Sequence, residues 1–289
     1  MADITAPAQR FAAVPPIHIQ APTILVFDSG LGGLSVFREV ARVRPDAHFI
    51  YAADDAAFPY GALSDAALVA RVREVVGTLI AATRPDLVVI ACNTASTLAL
   101  PALRAAYGLP FVGTVPAVKP ACAASVTRQV SVLATPGTVR RDYTAGLVRE
   151  FAGACAVTLV PSERLASLAE AAMHGAAVPD ADIAAEIAPC FVTTPQGRTD
   201  TVVLACTHYP LLLDRLRAVA PWPVSFIDPA PAIARRVASL IGPTAFASSP
   251  KPVRLVSTAQ PLDAAMISRV LERQSLPPEV IAPPLARAS

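Results

Sequence analysis

The sequence predicts an α/β protein made of two pseudo-symmetric, doubly wound parallel sheets, with a functional site in the cleft between them. Segments typical of buried strands alternate with amphipathic segments along the chain, which is the pattern of parallel βαβ units. Two stretches, residues 86–94 and 200–208, also read as copies of one another. Each has an acidic residue, an aliphatic run, Ala-Cys and a small polar residue. One copy in each half of the chain favours two similar units.

Three segments are expected from this pattern. Residues 1–22 contain four prolines and no continuous apolar run, which predicts a flexible N-terminal arm rather than a signal peptide. Residues 23–117 together with 226–289 form the first α/β domain, and residues 118–225 form the second.

Composition excludes several classes of protein. Although 54% of the 289 residues are hydrophobic, alanine inflates that share, and no uninterrupted apolar run reaches the roughly 18 residues of a membrane span. The net charge of +2 is small and the basic residues are scattered, so we expect neither membrane nor nucleic acid as a partner. Five cysteines at unpaired spacings, without an export signal, predict free thiols in a cytoplasmic protein.

The first half of the chain supplies four predicted strands. Aliphatic and aromatic runs place them at 23–27, 48–53, the aliphatic part of 86–94, and 111–115. Helices follow the first three strands. One runs through Val36 and Val40, one spans 65–83 with Ser64 as its cap, and one ends near Gly108.

The second half repeats this order after a crossover that Pro116 and Pro120 bracket. Strands are predicted at 130–134, 157–160, the aliphatic part of 200–208, and 224–228. Helical spacing indicates helices at 141–151, 163–174, 180–191, from Pro210 onward, and at 233–241. The tail beyond Pro250 adds a strand at 253–257 and a helix at 262–271.

Two loops at predicted strand ends suit ligand binding. Residues 28–35, Asp-Ser-Gly-Leu-Gly-Gly-Leu-Ser, predict an anion cradle of backbone amides that opens a helix. The loop is not a dinucleotide fingerprint, because Ser35 stands where the last glycine is needed. The Pro-Tyr-Gly turn at 59–61 is expected to expose Tyr60 and nearby amides as a pocket wall.

The two strand-end thiols, Cys92 and Cys206, allow several interpretations. The cytoplasmic location that we expect disfavours a structural disulfide. A metal site would need further cysteine or histidine ligands, and only His208 lies nearby in the sequence. Burial as small hydrophobes explains neither the duplication nor the polar residues that follow each thiol. The remaining interpretation, acid/base chemistry by the two thiols, is the one for which a mechanism can be given.

Two opposed thiols can invert an amino acid at Cα, because one removes the α-proton and the other returns a proton to the opposite face. A thiol near a helix N-terminus can be a thiolate at neutral pH while its twin stays protonated. Asp28 and His208 are placed to tune them. The groups expected to hold a carboxylate and an ammonium are Ser29, Asn93, Thr94 and Thr207. No pyridoxal phosphate is expected, because that cofactor needs a lysine to form a Schiff base. The two lysines of the chain, Lys119 and Lys251, are both next to proline, which makes them poor candidates.

At these residues the chain resembles the glutamate racemases, cofactor-independent enzymes of cell-wall precursor synthesis. The matching motifs lie at 27–33, 59–61, 91–95, 133–135 and 206–211. The resemblance implies two α/β domains with the active site between them, glutamate as substrate, no metal, flavin or other cofactor, and a homodimer.

Residue by residue, the resemblance implies Cys92 as the base for the D-enantiomer and Cys206 for the L-enantiomer. Asp28 and His208 would assist the thiols, and the substrate would be held by Ser29, Tyr60, Gly61, Asn93, Thr94 and Thr207. The chain departs from the family pattern at Ala53, where glycine is usual, at Asp55, where threonine is usual, and at Ala57, where many members carry arginine. Glu163 lies in the segment where the family carries a glutamate and is assigned no role.

Two alternatives stay open at this point. One is an aspartate racemase or another amino-acid racemase of the superfamily. The other is a non-catalytic protein that binds an amino acid in the same cleft as a regulator, for which neither thiol is needed.

Overall fold

Strands and helices alternate throughout the computed structural model, which describes residues 21–242 and 251–281. The predicted arm at 1–22 therefore lies outside the described residues, except for its last two. The first half of the chain contains β1 (Thr23–Asp28), α1 (Leu34–Val43), β2 (His48–Ala53), α2 (Asp65–Thr83), β3 (Leu87–Ile90), α3 (Asn93–Ala106) and β4 (Phe111–Gly113).

The second half continues the alternation and ends in a short tail. Its elements are α4 (Val118–Ala124), β5 (Gln129–Ala134), α5 (Pro136–Val139), α6 (Asp142–Phe151), β6 (Ala156–Pro161), α7 (Leu165–Met173), α8 (Asp180–Ile187), β7 (Thr193–Thr194), β8 (Gly197–Arg198), β9 (Thr201–Ala205), α9 (Leu213–Val219), β10 (Ser225–Ile227), α10 (Ala230–Ile241), β11 (Arg254–Ser257), α11 (Ala264–Leu271) and β12 (Glu279–Val280). Short 3₁₀ helices lie at Asp55–Ala57, Tyr60–Ala62, Ala188–Cys190 and Tyr209–Leu212.

The strands form two parallel sheets, so the predicted fold class is confirmed. The larger sheet has the order β12-β11-β2-β1-β3-β4, and the smaller has the order β10-β9-β5-β6. All neighbours in both sheets run parallel, while β7 and β8 pair as a separate antiparallel ribbon. In the larger sheet, Phe27 of β1 is in register with Ile90 of β3, which brings the two strand ends side by side.

Helices cover both faces of each sheet because the strands are apolar on both faces. In β1, Ile24 and Val26 belong to a core with α1 and α10, whereas Leu25 and Phe27 belong to a core with α2 and α3. The smaller sheet is divided in the same way, with α7, α8 and α9 on one face and α4 and α6 on the other. Near-continuous apolar strands of this kind are typical of doubly wound parallel sheets.

Several predicted boundaries differ from the observed ones for local reasons. The predicted helix at 180–191 ends at Ile187, and Pro189 lies in the 3₁₀ turn that follows. Helix α4 begins inside the predicted crossover and extends beyond it. Pro120 lies in its first turn, where the missing N–H costs no helical hydrogen bond. The tail also contains a second strand, β12, which pairs with β11. A strand of two residues is too short to be predicted from the sequence pattern.

The division of the chain into domains can be restated on this topology. We propose that the unit built on the smaller sheet begins after β4 and ends after Ile227, because β10 belongs to that sheet and the 225/226 boundary cuts through it. No helix in the described part of the chain is long and apolar enough to cross a membrane.

Candidate active site

The carboxyl ends of the two sheets face each other, and hydrogen bonds join them. Thr207, after β9, donates from Oγ1 to Asp28 Oδ2 at 3.1 Å, at the end of β1. Ser35 of α1 donates from Oγ to the backbone oxygen of Thr207 at 3.0 Å. Ligands of open α/β sheets bind at such strand ends, so this junction is the candidate site.

Two glycines allow the loop after β1 to pack this closely, Gly32 against the second unit and Gly33 against Asp28 of its own unit. A Cβ at Gly32 would lie 2.4 Å from His208 Nδ1 and 2.6 Å from Thr207 Oγ1. A Cβ at Gly33 would lie 2.6 Å from the Cβ of Asp28. Because real Cβ atoms do not tolerate such distances, the loop after β1 needs glycine to fit against the second unit.

Cys92 sits between β3 and α3 and is only 5% exposed. Its Sγ lies 3.8 Å from the Ser29 hydroxyl. Burial first, and then the negative charge of Asp28, raise the pKa of Cys92 to about 12, against the opposing effect of the Ala95 backbone amide. Cys92 is therefore a protonated thiol at neutral pH.

Cys206 follows β9 and has a different partner. Its Sγ lies 3.8 Å from Nδ1 of His208, whose Nε2 is 2.7 Å from Glu170 Oε2. Burial acts to lower the pKa of His208, but the hydrogen bonds to Cys206 and Glu170 outweigh it and hold that pKa well above its ordinary value. His208 is thus a cation between a sulfur and a carboxylate, and the two thiols stand in unlike electrostatic surroundings.

Glu170 is the main functional residue that the sequence analysis missed. Its carboxylate accepts hydrogen bonds from the backbone N–H of Leu31, at 3.2 Å to Oε1 and 3.0 Å to Oε2. The predicted anion cradle after β1 thus receives a carboxylate of the protein itself. A signal was present in the sequence, since Glu170 is the one acidic residue of the alanine-rich helix α7, whereas Glu163 is exposed.

Asp28 is completely buried and accepts from the backbone N–H of Gly30 at 3.0 Å as well as from Thr207. Burial raises the pKa of Asp28 from its ordinary 3.8 to about 6, although the charge of His208 lowers it. Among the described residues, the Asp28 carboxylate accepts no hydrogen bond from a thiol, so it acts on Cys92 through its charge.

Polar groups that could hold a ligand surround the thiols. Within the described residues, neither polar atom of the Asn93 side-chain amide has a hydrogen-bond partner, although Asn93 is buried. Buried polar groups are nearly always paired, so this amide is arranged for a ligand. The hydroxyl of Thr94 lies 3.1 Å from that of Thr135 and 3.4 Å from that of Thr138. The sequence analysis did not include these last two threonines in the site.

The expectation that Tyr60 is exposed is wrong. Tyr60 is 2% exposed and donates its hydroxyl to Asp54 Oδ2 at 2.6 Å. Arg71 of α2 binds both oxygens of Asp54, at 2.8 and 2.6 Å. The ion pair between Asp54 and Arg71 therefore anchors Tyr60 through its hydroxyl. The next residue, Gly61, lies beside Thr135 at the site.

Nine of the ten predicted site residues thus lie at one junction, where a ligand could contact them. The tenth, Tyr60, is buried behind the turn at Gly61 and supports it. Within residues 21–242 and 251–281, no group of three or more His, Cys, Asp or Glu side chains is arranged to hold a metal ion.

Substituting Gly32→Ala tests the contact between the units. The added Cβ overlaps His208 and Thr207, so we expect the junction to open and activity to fall on the order of a hundredfold, while both sheets stay folded. Gly108→Ala is the matched control, because a Cβ there meets nothing within 4 Å. Circular dichroism and turnover measure the two effects, and near-normal turnover in Gly32→Ala would contradict the account.

Comparisons with known proteins agree with this geometry. The profile of the Asp/Glu/Hydantoin racemase family matches residues 29–237. The glutamate racemase of Brucella anthropi is 55% identical over 239 residues, which cover 82% of this chain and 86% of that protein. The glutamate racemase of Brucella canis is 55% identical over 237 residues, covering 82% of this chain and 85% of that protein.

A solved structure is also similar over nearly the whole chain. The Escherichia coli glutamate racemase, in complex with L-glutamate and the activator UDP-MurNAc-Ala, is 41% identical and superposes with a TM-score of 0.81, covering 91% of this chain and 98% of that one. The chain therefore belongs to the Asp/Glu/Hydantoin racemase family of isomerases, and the relatives that it matches are glutamate racemases.

Proposed function

We propose that the chain interconverts L-glutamate and D-glutamate by proton transfer between Cα and the two thiols, Cys92 and Cys206. The observation that carries the proposal is the unlike pairing of two buried thiols at one junction, Cys92 beside the Ser29 hydroxyl and Cys206 beside the His208 imidazole. The glutamate racemases that the chain matches support glutamate as the substrate.

Inversion of the L-enantiomer begins at Cys206 in this proposal. The Cys206 sulfur, as a thiolate beside the His208 imidazolium, takes the α-proton, and the electron pair of the broken C–H bond stays on Cα. The Cys92 thiol then gives its proton to the opposite face of Cα, which yields the D-enantiomer and leaves Cys92 as the thiolate. The reverse reaction starts from that state.

The surroundings of the two thiols suit the removal of a proton from a weakly acidic C–H bond. Burial and the charge of Asp28 destabilise a thiolate at Cys92, so that this thiolate, once formed, is a strong base. His208 stabilises negative charge on Cys206 while Glu170 holds the imidazole in place. Each direction of the reaction thus uses different helpers.

The substrate would be held by groups that surround the thiols. The unpartnered Asn93 amide offers both a donor and an acceptor. Hydroxyls are available from Ser29, Thr94 and Thr207, and the turn at Gly61 contributes backbone. On the family resemblance, we extend the proposal to a cytoplasmic homodimer that supplies D-glutamate for peptidoglycan precursors.

Replacing each thiol separately tests the roles. We expect Cys92→Ser and Cys206→Ser each to lower racemisation by about a thousandfold, because a serine hydroxyl is a far weaker acid and base partner than a thiol. In deuterated water, Cys92→Ser should still exchange the α-hydrogen of L-glutamate, and Cys206→Ser that of D-glutamate. Cys155→Ser is the control, since this half-buried cysteine lies outside the site. A single variant that keeps a tenth of the activity would refute the two-base assignment. A panel including aspartate measures the substrate preference.

The charge of Asp28 gives a prediction about pH. The folded protein binds the Asp28 proton more tightly than the unfolded chain, so its contribution to stability is full below pH 3.8 and is lost as the pH rises through about 6. Asp28→Asn should therefore raise the free energy of unfolding by up to about 3 kcal/mol at pH 8 and by little at pH 4, while racemisation falls about a hundredfold. Urea unfolding at both pH values measures this, and a variant less stable than the wild type at pH 8 would contradict it.

A further inference from the structure

A phenylalanine ring covers the His208 imidazole on the side of a cavity between the two units. The centroids of the Phe58 and His208 rings lie 5.3 Å apart, and the ring planes are tilted by 44°. Phe58 also lines a cavity of about 400 Å³, together with Glu170 and His174 of the second unit. His208 is not among the described residues that line this cavity, and it is only 2% exposed. Phe58 therefore separates the imidazole from the cavity.

Charged and titratable groups keep His208 a cation. Its Nδ1 lies 3.8 Å from Cys206 Sγ, its Nε2 lies 2.7 Å from Glu170 Oε2, and Asp28 interacts with it through charge. Burial acts to lower the pKa of His208, yet the hydrogen bonds to Cys206 and Glu170 hold that pKa well above its ordinary value. Water that entered between these partners would weaken their attraction and return the pKa toward its ordinary value. A cover over the imidazole thus preserves its charge.

The other titratable groups near the imidazole face the cavity. Asp55, Asp263 and His174 line it beside Phe58. The carboxylates of Asp55 and Asp263 already accept hydrogen bonds from backbone amides, and the His174 side chain is 57% exposed. Because water in the cavity screens these groups, an opening beside His208 would admit water rather than a new counter-ion.

Asp55 fixes the segment that carries Phe58. Its Oδ1 accepts from the backbone N–H groups of Thr258 and Ala259, both at 2.9 Å, and its Oδ2 accepts from that of Gln260 at 3.2 Å. The N–H of Phe58 in turn donates to the backbone oxygen of Asp55 at 3.3 Å. A threonine, which the family usually carries at this position, has a hydroxyl with only two lone pairs and could not accept from all three amides.

We propose that Phe58 is a positioning residue, which holds the His208 imidazolium beside Cys206 and keeps cavity water from it, and that Asp55 holds Phe58 in place. The face of an aromatic ring attracts a cation within about 6 Å of its centroid, so the ring favours the charged form of His208. The inference rests on the proposed function and deepens it, because it adds the two residues that maintain the positive charge beside Cys206.

The pKa of His208 measures the effect of the ring directly. In Phe58→Leu this pKa should fall by about one pH unit, because the cation loses an aromatic face and gains water. Phe58→Tyr keeps the ring and should keep most of the raised pKa. Asp55→Asn should give a smaller fall, because an amide nitrogen cannot accept the Gln260 N–H. NMR titration of histidine-labelled protein without substrate measures these values, and His208→Gln identifies the signal among the four histidines.

The same change should appear in turnover. The proposed reaction needs the imidazolium beside the Cys206 thiolate, so activity is lost as the pH rises through the pKa of His208. In Phe58→Leu this loss should occur about one pH unit lower, and kcat at the optimum should fall about tenfold with KM nearly unchanged. Phe191→Leu is the matched control and should change neither the pKa of His208 nor the pH profile. Phe191 is also half-buried, but its ring packs on Trp222, with the centroids 5.2 Å apart.

A ring that only fills space predicts a different result. In that case Phe58→Leu would leave the pKa of His208 and the pH profile unchanged, and this outcome would overturn the proposal. A rise in that pKa would overturn it too, since water would then favour the cation more than the ring does. If Phe58→Leu does not fold, Phe58→Met, which has similar bulk without a ring, gives the same comparison.

The two kinds of measurement separate this inference from the proposed function. Absence of glutamate turnover by the wild type would refute the function itself. The NMR titration needs no substrate, so it still tests whether Phe58 maintains the charge of His208. Equal pKa values of His208 in the wild type and in Phe58→Leu would refute that role whether or not the protein turns over glutamate.

Discussion

The close contact between the glycine loop after β1 and the loop after β9 is the constraint on which the rest of the site depends. Gly32 leaves room for His208 and Thr207, and Thr207 in turn donates to Asp28. Through this contact, two strand ends that lie far apart in the chain share one buried junction. Without the contact, Glu170 would lose its hydrogen bonds from the Leu31 amide, which join it to the first unit.

The two halves of the junction are alike in scaffold and unlike in charge. Each thiol follows a buried parallel strand of its own sheet. Cys92, however, faces a hydroxyl and a buried carboxylate, whereas Cys206 faces an imidazole that a second carboxylate orients. The two enantiomers present opposite faces to a fixed site, so unequal helpers on the two sides fit an inversion better than a symmetric pair would.

The features that could be predicted from the sequence are those set by local patterns. The aliphatic run before each thiol predicts its strand, and the cap at Ser64 predicts the start of α2, which the structure confirms. The role of Glu170 could not be predicted, because a lone carboxylate in an alanine-rich helix acquires its partners only in the tertiary structure, from Leu31 in the other unit and from His208 after β9. The burial of Tyr60 likewise depends on Asp54 and on Arg71 one helix later, and no local pattern encodes that tertiary ion pair.

The most direct test of the central claim is the position of solvent label at low conversion. Wild-type protein is incubated with L-glutamate in deuterated water, and both enantiomers are separated and analysed by mass spectrometry. Two opposed bases predict deuterium at Cα of nearly every D-glutamate molecule formed, with the remaining L-glutamate almost unlabelled. D-glutamate that keeps the original hydrogen would show that one group moves the proton between faces, and would contradict the account.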